Sequence, residues 1–151
     1  MVAPPVTTPR EAAQLGAAVQ MDLNAYVQRQ RERRGLTADE RRALRRYLAE
    51  KKEALRVSAL GALVLLSGHV RTLGTLCESG RRSLGRSDDD SAAIEAVPAH
   101  HSCAVRVLEC LASAQEAAAV YAAVWRATND LLQREAGDVG WILGDDLEAA
   151  E

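Results

Sequence analysis

The segment RVSALGALVLLSGHVR, residues 56–71, carries no charge between its terminal arginines and is the most apolar run in the chain. It either crosses a bilayer or fills the interior of a folded domain. A bilayer core takes about 20 predominantly apolar residues. Only 14 lie between Arg56 and Arg71, and Ser58, Gly61, Ser67, Gly68 and His69 are among them. Extending the run to Cys77 reaches the required length but places Arg71 in hydrocarbon, at a cost of about 2.5–3.5 kcal/mol. The run also has sides. Leu55, Ala59, Leu63, Leu66, Val70, Leu73 and Cys77 recur every three or four residues, which places them on one helical stripe. Val57, Leu60 and Val64 widen that stripe. The expectation is a helix buried nearly all round at the centre of a bundle, with integral membrane insertion disfavoured. Gly61 and Gly68, seven apart, would let a second helix come close. Together with Leu63, Leu66 and Val70 they form the expected interaction face.

Helix boundaries are written in local chemistry. Thr8, Pro9 and Glu11 make a capping box with proline at the first helical position, where its missing N–H costs nothing. The stripe Ala12, Leu15, Val19, Leu23 and Tyr26 follows, with Met21 and Val27 beside it, to an expected stop at Gly35. Thr37 to Glu40, TADE, is a second capping box. The predicted helices cover 9–34, 38–79 and 98–136, and the middle one would be roughly 60 Å long at 1.5 Å per residue. Residues 79–91, SGRRSLGRSDDDS, read as a polar connector, followed by a short helix over SAAIEAV that Pro98 interrupts. The last stripe is Cys103, Val107, Leu111, Ala114, Ala118, Tyr121, Trp125, Thr128 and Leu132. Residues 1–8 are read as a disordered start, 9–136 as the bundle domain, and 137–151 as an acidic tail around Trp141, Ile142 and Leu143.

Composition agrees with an all-α chain. Aromatic residues are 3% of the 151, Phe is absent, and Ile occurs only at Ile94 and Ile142. Strands favour β-branched and aromatic side chains, so an Ala, Leu and Val inventory points to close-packed helices. The expected architecture is an elongated antiparallel three-helix bundle, a helical hairpin with a short extra helix in its loop.

Charge is divided along the chain. Residues 1–87 hold 16 Lys/Arg against 8 Asp/Glu, or +8, and residues 88–151 hold 3 against 13, or -10. Within 29–56 a basic elbow gathers Arg33, Arg34, Arg41, Arg42, Arg45 and Arg46. Its plain reading is a solvated face paired with nearby acids. Its functional reading is an anion-binding surface for nucleic acid or an anionic membrane. No nucleic-acid motif accompanies it. Ser83 and Ser87, beside arginines and aspartates, are candidate phosphoacceptors. The Trp141-Ile142-Leu143 knot suits docking into an apolar groove or folding back on the bundle.

HHSC at 100–103, with Cys110, invites a zinc reading. Cys103 and Cys110 would stand about 10.5 Å apart on one helix, too far to share one ion with Zn–S bonds near 2.3 Å. His100 with Cys103 supplies two ligands at most, and His69 and Cys77 are the remaining candidates. Neither a metal nor a cofactor is expected. No glycine-rich phosphate loop, nucleophile elbow or metal-binding Glu-x-x-His pair occurs, so no enzyme and no small-molecule substrate are expected. Three cysteines, an odd count, and a first segment without an apolar signal region lead to an intracellular, cytoplasmic expectation. The functional expectation is a non-catalytic helical interaction subunit or adaptor, a scaffold that assembles with itself or with another helical protein. The alternative is an anion binder acting through the elbow.

Overall fold

A computed structural model describes the backbone of residues 4–85 and 90–149 and the side chains of 4–85 and 101–144. It is all-α: α1 Pro9–Arg33, α2 Ala38–Gly85, α3 Asp90–Ala136 and α4 Asp138–Ala149, with no strand among the described residues. Three departures from expectation concern length. α2 runs on past residue 79 to Gly85, held by Glu78, which pairs with Arg81 at 2.7 Å and Arg82 at 3.2 Å one turn on. α3 starts at Asp90 and passes through Pro98, so no separate short helix exists between 90 and 98. The acidic tail is itself a helix, α4. Of the expected connector, residues 86–89 lie outside the described residues, as do residues 1–3 of the expected disordered start.

The hydroxyl half of each expected capping box forms. The Thr8 hydroxyl accepts from the Glu11 N–H at 3.1 Å, and the Thr37 hydroxyl accepts from the Glu40 N–H at 3.1 Å. Each satisfies one orphan donor of a helix start. The Glu11 carboxylate reaches back to the Thr7 N–H at 3.2 Å. Val6 N–H donates to the Ser58 hydroxyl at 3.2 Å, so residues just before α1 are tied to α2. At the far end of α1 the left-handed residue is Arg34, at φ 56, and Gly35 follows at φ 153.

The chain divides into two compact units. Unit 1 comprises residues 1–61 and 119–151. Its core is Val19 and Leu23 of α1, Leu44, Leu48 and Leu55 of α2, Val124 and Leu131 of α3, and Val139 and Ile142 of α4. Gly16 lets α1 approach α3 closely: a Cβ there would stand 3.1 Å from the Cβ of Ala127. Arg134 joins three helices. Its guanidinium donates to Gln20 and Asn24 of α1 at 2.8 and 2.9 Å and to both oxygens of Asp138 at 2.9 and 3.1 Å. Lys52 of α2 pairs with Glu135 of α3 at 2.7 Å. The Tyr47 hydroxyl donates to Asp22 at 2.6 Å. Burial first, then that bond, pushes the phenol above its ordinary range.

Unit 2 comprises residues 62–118, where α2 and α3 form an antiparallel hairpin. The Cys110 thiol donates to the His69 carbonyl at 3.2 Å, and the Cys103 thiol to the Leu76 carbonyl at 3.6 Å. Gly80 faces Cys103, its missing Cβ 3.4 Å from the sulfur. The expectation that 56–71 is buried nearly all round is overturned here. Ala62 and Leu76 are buried and Leu66, His69 and Leu73 half-buried, but Leu63, Val64, Leu65 and Val70 are exposed. A helix with one neighbour has one covered side, and α2 meets only α3 within this unit.

Candidate interaction face of the second unit

The seam that closes the hairpin is Ala62, Leu66, His69, Leu73, Leu76 and Gly80 on α2, and Cys103, Val107, Cys110, Ala114 and Ala117 on α3. The spacing alternates three and four on both helices. Beside each seam runs a second apolar column at steps of seven. On α2 it is Leu63, Val70, Cys77 and Leu84, and on α3 it is Ala104, Leu111 and Ala118. All seven residues are exposed, with Leu63 at 42%, Val70 at 55% and Leu84 at 63%. The sequence stripes on α2 and α3 are thus genuine periodicities. Within unit 2 their members Leu66 and Leu73 on α2 and Cys103, Val107 and Ala114 on α3 belong to the filled seam, and Leu63, Val70, Cys77, Leu111 and Ala118 face outward.

The two columns lie on the same side of the hairpin. A groove of about 560 Å³ between them is lined by Cys77, Gly80 and Leu84 from α2 and Cys103, Ala104 and Leu108 from α3. Leu108 is 64% exposed. Among the described residues, the single charged one in its lining is Arg81, whose guanidinium binds the Glu78 carboxylate at 2.7 and 3.0 Å. That bond holds the carboxyl below its usual range and raises the guanidinium. The groove is therefore almost purely apolar, with its one cation already neutralised.

The expected interaction residues divide by direction. Leu63 and Val70 belong to the groove side, and Leu66 to the filled seam. Gly61 and Gly68 lie about 160–200° round the helix from Leu63 and Val70. Among the described residues, nothing outside its own helical turn comes within 4 Å of a Cβ at either glycine. Leu65, 56% exposed, shares that other side. The Thr hydroxyls there are satisfied within their own helix, Thr72 on Gly68 O at 3.1 Å and Thr75 on Arg71 O at 3.2 Å.

The basic elbow, in unit 1, is threaded with acids. Arg33 pairs with Glu40 at 3.2 Å and Arg42 bonds Asp39. Arg41 and Arg45 also have partners. Arg34 is engaged through its backbone as the cap of α1, and Arg46 is exposed. The tail knot is split by its helix. Ile142 is buried, Leu143 half-buried and Trp141 71% exposed, beside Val27 and Arg31. Ser83 lies half-buried in the last turn of α2 with a partner of its own, and Ser87 lies outside the described residues. Cys77 is the exposed thiol, whereas Cys103 and Cys110 are half-buried. Among the described residues no three His, Cys, Asp or Glu side chains come together as metal ligands.

Sequence reading missed two features. One is Arg134 as the hinge pin of three helices, for which no local pattern exists. The other is the doubling of apolar columns, which was visible as adjacent steps of seven. Windows of 18 residues within α2 and within 101–136 reach mean hydropathies of 1.4 and 1.3, so both helices are long and apolar enough to cross a membrane. Comparison with known proteins finds no matching family, no similar curated protein and no similar solved structure.

Proposed function

We propose that this chain is a non-catalytic helical interaction subunit that docks another helical protein on the groove side of its second unit. One observation carries the reading: a hairpin with one filled apolar seam presents a second, empty one with the same seven-residue repeat. That repeat suits knobs-into-holes packing against a further helix, the geometry of a coiled coil or a bundle. Contiguous exposed apolar surface of this kind marks an interaction site.

The magnitudes are adequate. Leu63, Val70, Leu84, Leu108 and Leu111 together expose the equivalent of about two and a half whole side chains. At 1.5–3 kcal/mol per side chain, covering them contributes ~4–8 kcal/mol. A partner of like character contributes a similar amount, against an association cost of ~4–15 kcal/mol. The balance favours a reversible or moderately stable complex.

Charge placement favours a protein over a bilayer as the partner. His69 sits opposite Cys110, so exposed Arg71, Arg106 and Glu109 lie at nearly one level of the hairpin. Glu78 and Arg81 follow within about three turns of the same helix. A bilayer core is spanned by about 20 predominantly apolar residues with few or no charges, and a protein partner needs only the apolar columns.

Site-specific photo-crosslinking in cells tests the proposal, with the photoreactive residue at 70 or at 65 of the full chain. Position 70 is expected to capture a helical protein segment and position 65 to capture none. Equal capture from both positions, or capture of lipid or nucleic acid at 70, would overturn the reading.

A further inference from the structure

We propose that the occupant of the open groove is a second copy of this chain, the two hairpins packing groove side to groove side about a two-fold axis. This rests on the docking reading above and names its partner.

Three observations favour a copy over an unrelated helix. First, the face is compatible with itself in charge. Among the described residues its one lining cation, Arg81, is bound to Glu78 at the margin, so these residues bring no unpaired like charges together in two copies. A two-fold interface presents the same patch from both sides and requires this self-compatibility. A hetero-partner groove commonly carries a charge pattern that selects the partner, and none is present here. Second, the face supplies both protrusions and recesses. Val70, Leu84, Leu108 and Leu111 stand out, whereas Gly74, with nothing within 4 Å of its Cβ position, and Ala104 and Ala118 leave room between them. Third, the size fits. The column from Leu63 to Leu84 is ~32 Å long, and two helices side by side are ~20 Å across. The face therefore offers on the order of 600 Å² per copy, at the lower edge of a specific dimer, where about 800 Å² per partner is usual. The expected product is a four-helix arrangement of two hairpins that remains concentration-dependent.

The test uses the purified full chain, followed by sedimentation equilibrium and light scattering from about 1 to about 200 µM. The expected mass at the upper end is twice the 16.3 kDa of the chain. Val70→Asp puts a charge into the proposed contact and is expected to weaken dimerisation on the order of 100-fold. Leu65→Asp, on the other side of the same helix and equally exposed, is expected to leave it unchanged. Circular dichroism verifies that both variants keep their helix content. A second readout is Cys77 in the α2 column. Its thiol should be labelled more slowly at high than at low concentration in the wild type and in Leu65→Asp, and at one rate in Val70→Asp. A wild-type monomer throughout overturns the proposal. Equal loss of the dimer in both variants, or none in Val70→Asp, overturns it as well. A monomer that still crosslinks from position 70 to another protein's helix sinks the second copy but keeps the docking function. A monomer that floats with neutral phosphatidylcholine vesicles sinks both.

Discussion

Gly140 and Gly144 sit four residues apart in α4, and the same substitution should have opposite effects on them. A Cβ added at Gly140 would collide with the main-chain carbonyl oxygen of Glu135, at the end of α3. No side-chain rotation relieves a clash with backbone, so the α3–α4 junction must open. Overpacking of this kind costs about 1–3 kcal/mol. If α4 leaves its seat altogether, Val139 and Ile142, both buried, become exposed, and the loss rises to ~3–6 kcal/mol. The better helix propensity of Ala returns ~1 kcal/mol. The net expectation for Gly140→Ala is a destabilisation of about 0–2 kcal/mol if α4 keeps its seat and about 2–5 kcal/mol if it leaves. At Gly144, among the described residues, nothing outside its own helical turn lies within 4 Å of the added methyl. Only the propensity gain remains, so Gly144→Ala should stabilise by about 0.5–1 kcal/mol. Urea unfolding followed by far-ultraviolet circular dichroism gives both numbers, and Trp141 emission reports whether α4 has moved. If Gly140→Ala raises the midpoint as Gly144→Ala does, the close approach of α4 to the end of α3 is refuted.

Other residues of unit 1 give similarly direct expectations. Arg34→Gly should stabilise by about 0.5–1 kcal/mol in thermal unfolding, because glycine takes the left-handed φ of 56 without strain. Tyr47→Phe removes the bond to Asp22 and should cost about 1 kcal/mol, the value for a charged acceptor discounted for exposure. The folded state holds the Tyr47 proton more tightly than the unfolded state. Its contribution is therefore fully present below pH 10.0 and is lost as pH rises above that. Urea midpoints measured on the alkaline side should fall in the wild type and fall less in Tyr47→Phe. Arg134→Met should cost about 1.5–3 kcal/mol by leaving Gln20, Asn24 and Asp138 without their shared donor. Hydrogen exchange should then quicken in α1 and α4 together, whereas a fault confined to one helix would argue against the three-way role.

What the amino-acid order alone settles is what neighbouring residues settle among themselves. The starts of α1 and α2 follow from Thr8 with Glu11 and from Thr37 with Glu40, because a cap is a bond across three residues. The all-α class follows from a composition poor in β-branched and aromatic residues and from apolar spacing of three and four. Helix ends were less legible. The pairs of Glu78 with Arg81 and Arg82 carry α2 beyond the glycine at 80 to Gly85, and the 137–151 stretch is a helix because Val139 and Ile142 find a place to be buried. Which side of each long helix is inside belonged to the tertiary structure. α2 and α3 each carry two apolar columns one residue apart, and Leu, Val, Ala and Cys are acceptable in either. Only the presence of a facing helix distinguishes Ala62, Leu76 and Ala114, which are covered, from Leu63, Val70 and Leu111, which are not. Periodicity measures the angle between residues on one helix. Burial depends on how many neighbours that helix has, and those neighbours come from distant parts of the chain or from another chain.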